Sequence, residues 1–249
     1  MTYGITQYVH TRSLSEATDH LTRHLGSLQT LNVLEAGCGS VSCLNLDQCY
    51  VVGIDISREQ LDRNPLLNER VHGDLHTYEN AGWTDYFDFV VCWNVIEHLH
   101  DPGSVIAKLV RWTRPGGRIV LAFPNPQSLR GVVTKYTPLG FHRFIKGIVR
   151  PRHARSYFRK HTFKTYMRRD VRLNRVADRL RAGSCDTDLL LSYETPEGTF
   201  LKKYVPLRIV DAVSSWFLGE LRGFLSPAAE GLILVSNRHA LPVPDSGSP

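Results

Sequence analysis

At 249 residues, with 42% hydrophobic and 22% charged residues, the chain has the size and composition of one soluble α/β domain carrying a sizeable insertion, or of one domain and a small subdomain. Its five cysteines, Cys38, Cys43, Cys49, Cys92 and Cys185, include no CxxC pair. No apolar run approaches the roughly 18 residues of a membrane span, and the start of the chain has neither an apolar core nor a cleavage pattern. A disulfide scaffold, a zinc site, a secreted protein and a membrane-spanning protein are therefore disfavoured, and a reduced, cytoplasmic location is expected. The net charge of +6 hides an asymmetry: residues 130–181 hold sixteen Lys and Arg against only Asp170 and Asp178, which leaves the rest of the chain acidic.

Residues 1–12 are expected to be irregular. Residues 13–28 suit a helix with Leu14, Ala17, Leu21 and Leu25 on one side and Ser13 with Glu16 as a capping box. The organising stretch is residues 31–57. Two apolar runs, Val33-Leu34 and Tyr50-Val51-Val52-Gly53-Ile54, each end at an acid, Glu35 and Asp55, and Gly37-Cys38-Gly39 follows the first. That pattern reads as strand, glycine turn, short helix, strand. Parallel sheets bind ligands outside the carboxyl ends of their strands, so Glu35, Gly37, Gly39 and Asp55 would share one edge, where Asp55 can accept two hydrogen bonds from a ribose diol. The stretch looks like a nucleoside pocket. A dinucleotide fingerprint would need a third glycine at position 42, where the chain has Ser42, so a pyrophosphate-binding turn is poorly supported.

Further along, residues 57–67 suit a helix ending near Pro65, and residues 69–72 a short strand closed by Gly73-Asp74-Leu75. Residues 86–93, YFDFVVCW, form an apolar strand followed by Asn94-Val95-Ile96-Glu97-His98-Leu99-His100-Asp101-Pro102. Asp101 can cap a helix that starts at Pro102 and buries Val105, Ile106, Leu109 and Val110. Arg114-Pro115-Gly116-Gly117 then turns into a strand over residues 118–123, ending at Pro124-Asn125-Pro126. Residues 170–181 suit another helix, with Leu173, Val176, Ala177 and Leu180 inside and Gly183 as its stop, and residues 186–193 and 231–237 read as the last strands.

Three motifs, EAGCG with its downstream Asp55, FDFVVCWNVIEHLHDP, and RPGGRIVLAFPN, together resemble the class I S-adenosylmethionine-dependent methyltransferases, and the second resembles their UbiG/UbiE-like "type 11" group. The resemblance covers about residues 28–126. It implies a Rossmann-like, seven-stranded, mostly parallel sheet with one antiparallel edge strand, helices on both faces, and a basic helical lid insertion. It also implies S-adenosylmethionine as cofactor, held by Glu35, Gly37, Cys38, Gly39, Asp55, Ile56, Asp74, Leu75, Asn94 and Val95. Asp74 stands where the family's acid recognises the adenine amine. One departure is Val41, which replaces the motif's last glycine near the methionine end. Domains follow as a cofactor-binding core over 1–126, a basic insertion over 127–169, the rest of the core with a second lid helix near 204–225 over 170–241, and a disordered tail over 242–249.

Methyl transfer to a hydroxyl needs alignment, desolvation and a base. His98 is the first candidate, with Glu97 orienting it or touching the cofactor; a capping or cofactor-contact role is the plainer reading of that histidine. His142, His153 and His161 in the insertion are rivals, and no metal is expected, because Glu97-His98 and His100-Asp101 are explained by packing and capping. The insertion interleaves aromatics with positive charge, which suits a phosphate or diphosphate clamp with His142, Arg143, Arg155 and His161 as substrate contacts, a nucleic-acid grip, a peripheral contact with the inner membrane face, or a solvated basic surface. Nucleic acid is disfavoured, because the Asn/Asp-Pro-Pro-aromatic motif of exocyclic-amine methyltransferases is absent after residue 93. The expected activity is O-methylation of a small molecule that is phosphate-bearing or lipid- or sugar-linked. The alternatives are a nucleic-acid methyltransferase and a non-catalytic, cofactor-binding scaffold. The oligomeric state is not legible.

Overall fold

The apolar runs of the sequence become the inner strands of one sheet, because a parallel strand covered on both faces has no polar side to alternate with. In the computed structural model, which describes residues 4–126, 128, 169–195 and 229–239, the elements run β1 (Gln7–Thr11), α1 (Leu14–Leu25), β2 (Asn32–Ala36), β3 (Tyr50–Asp55), α2 (Arg58–Arg63), β4 (Glu69–His72), β5 (Phe87–Trp93), α3 (Pro102–Trp112), β6 (Thr113–Pro124), α4 (Leu173–Ala182), β7 (Cys185–Tyr193) and β8 (Gly231–Arg238). The strand order is β1-β7-β8-β6-β5-β2-β3-β4. Within it β8 is antiparallel to both neighbours, and the other pairings are parallel.

Helices cover both faces, as expected. On one face Val105, Ile106 and Leu109 of α3 and Val176 and Leu180 of α4 pack on Leu34, Ile54, Cys92 and Leu121. On the other, Ala17, Leu21 and Leu25 of α1 and Leu61 of α2 pack on Val33, Val51, Val91 and Val120. Fully burying such a side chain contributes roughly 1.5–3 kcal/mol, so the alternating strand faces fix the register of the sheet. The β2–β5 and β2–β3 registers place Ala36 beside both Cys92 and Ile54. Residues that follow β2, β3 and β5 therefore emerge at one edge.

Four expectations about the sheet and its connections are corrected. The sheet has eight strands instead of seven, because Gln7–Thr11, expected to be irregular, pairs in parallel with β7. That pairing is fixed by tertiary partners: Tyr8 Oη and His10 Nδ1 lie 2.9 and 2.8 Å from Ser192 Oγ. The antiparallel strand lies inside the sheet, between β6 and β7, where the apolar sequence of β8 can be covered on both faces. Residues 37–49 form turns in place of a short helix. Gly37 and Gly39 both have positive φ, the Asn45 side chain accepts from Asp47 N at 3.2 Å, and Leu44, Leu46 and Cys49 are buried from a non-helical segment in the cluster that holds α1 and α2. Finally, Arg114–Gly117 is a bulge within β6, since the pairing jumps from Phe87↔Thr113 to Phe89↔Arg118.

The helices that do form are capped as their sequences require. Ser13 Oγ accepts from Glu16 N, and Glu16 Oε2 reaches back one residue further than a capping box, to Arg12 N at 2.9 Å. Leu14, expected on the buried side of α1, is exposed. Asp101 Oδ1 accepts from Ser104 N at 3.1 Å with Pro102 in the first turn of α3. Residues 57–67 form the shorter α2, and α4 starts at Leu173, after a 3₁₀ turn at Arg169–Val171. All five cysteines are unpaired. The expected basic insertion, the second lid helix and the tail lie outside the described residues, apart from Ser128 and Arg169, as do His142, Arg143, Arg155 and His161.

Candidate functional site

The carboxyl edge of β2, β3, β4 and β5 carries an acid, or a turn that holds one, at each step. Glu35, in the last turn of the β2 pleat, is 4% exposed. Burial pushes its carboxyl up to about 7, partly opposed by the Ser42 hydroxyl that donates to Oε2. The chain then turns sharply. Gly37, at φ +70°, donates its N–H to Ile54 O at 2.7 Å, and Cys38 donates to the same oxygen at 3.3 Å. A Cβ on Gly37 would lie 2.3 Å from Val95 Cγ2, so glycine is demanded here by both conformation and space.

Asp55 closes β3 and organises the turn. Its Oδ2 accepts from Gly39 N at 2.9 Å and its Oδ1 from Ser57 N at 2.8 Å. An ionised carboxylate offers about four lone-pair sites, so two remain for further donors. Ile56, immediately after it, is 58% exposed, an apolar side chain held at a polar edge. After β4, Asp74 Oδ1 accepts from His76 N at 2.9 Å, and that bond leads the effects holding its carboxyl below the usual range. Leu75 is buried beneath. After β5, Asn94 takes a left-handed φ of +54°, tolerable for asparagine, while its N–H donates to Ala122 O at 2.8 Å. Val95 packs over the glycine turn.

An open cleft of about 240 Å³ runs along this edge. It brings together Glu35, Gly37, Cys38, Gly39 and Asn94 from the expected set. Asp55 reaches the cleft through Gly39, and Val95 through Gly37. Ile56, Asp74, Leu75, Glu97 and His98 stand off its lining. Several participants were missed by sequence reasoning, Ser40 and Cys43 of the lining among them. Gln60 and Trp93 line the cleft, and Ser42 bonds the buried acid. Ser42 occupies the position already marked by the missing glycine, and Trp93 is the last residue of a strand that ends at this edge; Gln60 comes from α2 and has no sequence signal. Val41, the family departure, is 69% exposed and does line the cleft.

Beyond Asn94, a 3₁₀ turn spans Ile96–His98. Glu97 is buried, its Oε2 has no hydrogen-bond partner among the described residues, and burial raises its carboxyl to about 8. Its Oε1 lies 3.9 Å from His98 Nε2, too far for a hydrogen bond. Burial therefore favours the protonated form of Glu97.

The edge carries a buried acid on β2, a carboxylate with further acceptor capacity at the end of β3, and a half-exposed carboxylate after β4. The fold and site thus define a class I, Rossmann-like S-adenosylmethionine-dependent methyltransferase. Residues 8–170 match the family described as "Methyltransferase domain", and the chain belongs to that family. Among relatives, it is 27% identical over 173 residues to the ubiquinone biosynthesis O-methyltransferase of Aromatoleum aromaticum, covering 59% of this chain and 69% of that one. It is 31% identical over 116 residues to the Aeromonas salmonicida protein of the same name, covering 43% of this chain and 49% of that one. The chain thus spans about half the length of several of the curated relatives that it matches. A methyltransferase structure from Archaeoglobus fulgidus shares the fold with a TM-score of 0.55 at 16% identity, covering 90% of this chain and 94% of that chain. The cofactor is S-adenosylmethionine, as the family requires.

Proposed function

We propose that the protein transfers a methyl group to a hydroxyl of a small molecule that is phosphate-bearing or lipid- or sugar-linked. The observation that supports the reading best is the succession of acids at the ends of three adjoining strands, Glu35, Asp55 and Asp74. In this reading Glu35 and the glycine turn hold the methionine end, Asp55 accepts from the ribose hydroxyls, and Asp74 accepts from the adenine amine. Ile56, Leu75, Asn94, Val95 and Cys38 shape the apolar and backbone walls. When bound, the cofactor supplies a methyl already activated by its positive sulfur.

The protein's remaining work is to orient the acceptor and remove its proton. His98 takes that proton, with the buried Glu97 carboxyl 3.9 Å from its Nε2. The acceptor class draws on the relatives' name, O-methyltransferase, and on the sixteen basic residues between positions 130 and 181, which suit a phosphate. Among the described residues no helix is long and apolar enough to cross a membrane. The reading places the enzyme in the cytoplasm, with any membrane contact peripheral.

Incubation of the full chain with extract and methyl-labelled cofactor, followed by partition of the label, tests the acceptor. Label in the aqueous metabolite or organic fraction supports the reading; label confined to nuclease-sensitive material, or no transfer, overturns it. On the acceptor so identified, His98→Ala is expected to lower kcat by about 10²–10⁴-fold with cofactor affinity unchanged. A drop below tenfold would move the base to another histidine.

A further inference from the structure

We propose that His76 is a positioning residue that selects a 6-aminopurine: it anchors the Asp74 carboxylate by one oxygen and so presents the other to the exocyclic amine of the nucleoside. The inference rests on the reading above that Asp74 meets adenine.

Two donors from one residue converge on one atom. His76 N lies 2.9 Å and His76 Nδ1 3.1 Å from Asp74 Oδ1. Among the described residues, the hydrogen bonds to the Asp74 side chain all fall on that oxygen, although the side chain is 43% exposed. An aspartate that merely closes a turn needs only the backbone donor; the imidazole contact is additional. Oδ2 is left on a rotor fixed at its other end.

The imidazole is itself held. Asp101 N donates to His76 Nε2 at 3.3 Å, which makes Nε2 an acceptor and assigns the ring proton to Nδ1, facing the carboxylate. The His100 ring stands edge-on to it, with centroids 5.1 Å apart and planes at 88°. Lys108 Nζ donates to His76 O at 3.1 Å and to Tyr78 O at 2.8 Å, pinning the backbone beneath. Thr77 N and Tyr78 N close the turn onto Asp74 O at 3.0 and 2.7 Å. Asp74 is thus clamped between its own turn and the first turn of α3. Nearby, the exposed Ile56 offers an apolar surface, and its carbonyl lies 3.0 Å from His72 Nε2, tying the ends of β3 and β4 together. An apolar surface beside an anionic acceptor suits adenine; a 6-oxopurine would set oxygen against oxygen.

The test uses the full chain, with binding of S-adenosylhomocysteine and of its 6-deamino purine analogue measured by calorimetry. Wild type should prefer the amine-bearing ligand by about tenfold or more, the range of a hydrogen bond to a charged group. His76→Ala should remove most of that preference by weakening the amine-bearing ligand alone, and His76→Asn, whose amide can reach the same oxygen, should restore part of it. Asp74→Ala should abolish the preference. If Asp74→Ala leaves the preference intact, the adenine reading itself is wrong. If Asp74→Ala abolishes it while both His76 variants keep it, or if His76→Ala and His76→Asn weaken the two ligands equally, the positioning role is overturned and the adenine reading stands.

Discussion

Two crossovers do the same topological work by different means. Residues 94–112 lead from β5 to β6 through α3, a helix with an aspartate cap, a proline in its first turn and a buried apolar stripe. Residues 37–49 lead from β2 to β3 through turns alone. In the first, helical hydrogen bonds satisfy the backbone. In the second, strand ends and side chains do: Ile54 O takes Gly37 and Cys38, Asp55 takes Gly39, and Glu35 takes Ser42. The turns leave acids and backbone at the cleft, whereas the helical crossover gives the cleft lining only Asn94 and gives α3 to the packed core.

Two glycines of similar φ can break this contrast. Gly37 sits at +70° against Val95, whereas Gly116 sits at +78° in the β6 bulge, where an added Cβ meets nothing within 4 Å. Gly116→Ala should cost only the backbone strain, about 1 kcal/mol. Gly37→Ala adds a steric clash and should cost about 2–4 kcal/mol, with cofactor affinity reduced by roughly a hundredfold. Urea denaturation and calorimetry on the pair decide it. Equal losses of stability and unchanged affinity would mean that the turn is not built around Val95.

The next effect is electrostatic. Glu35 titrates near 7 in the folded protein against 4.5 as its ordinary value, so between those values the folded state holds the extra proton. Its contribution is fully present below pH 4.5 and is lost as pH rises through 7. Glu35→Gln removes that loss. The ligand-free variant should therefore match wild type near pH 4.5 and exceed its stability at pH 8 by up to about 3 kcal/mol, while binding the cofactor more weakly. Parallel stability–pH curves for the two proteins would show that the acid is not strained by burial.

The contrast also separates what the sequence shows from what it hides. The strands were legible because parallel strands covered on both faces are apolar almost throughout, and α3 because Asp101-Pro102 and its stripe are local signals. Glu35, the glycines and Asn94 were legible because motif spacing places them at strand ends. β1 was not: only one residue of Gln7–Thr11 is buried, and its pairing depends on Ser192, which is 181–184 residues away in sequence. The missing helix was not legible either, because the buried Leu44, Leu46 and Cys49 suit a helix as well as a packed loop. Gln60 joins the site only through the fold.

The smallest effect sharpens the comparison from the other side. Asp101 caps α3 by accepting from Ser104 N, and its carboxyl is held below the usual range by that donor. Asp101→Ala should cost about 1 kcal/mol, a fall of about 2–4 °C in Tm by calorimetric scanning. Alanine keeps the backbone N–H that donates to His76 Nε2. Affinity for S-adenosylhomocysteine should therefore stay within about twofold of wild type, since no contact to the cleft is lost. A larger fall in affinity would mean that the cap itself aligns the His76–Asp74 pair, and that the helical crossover and the ligand edge are coupled through the first turn of α3 instead of being separable.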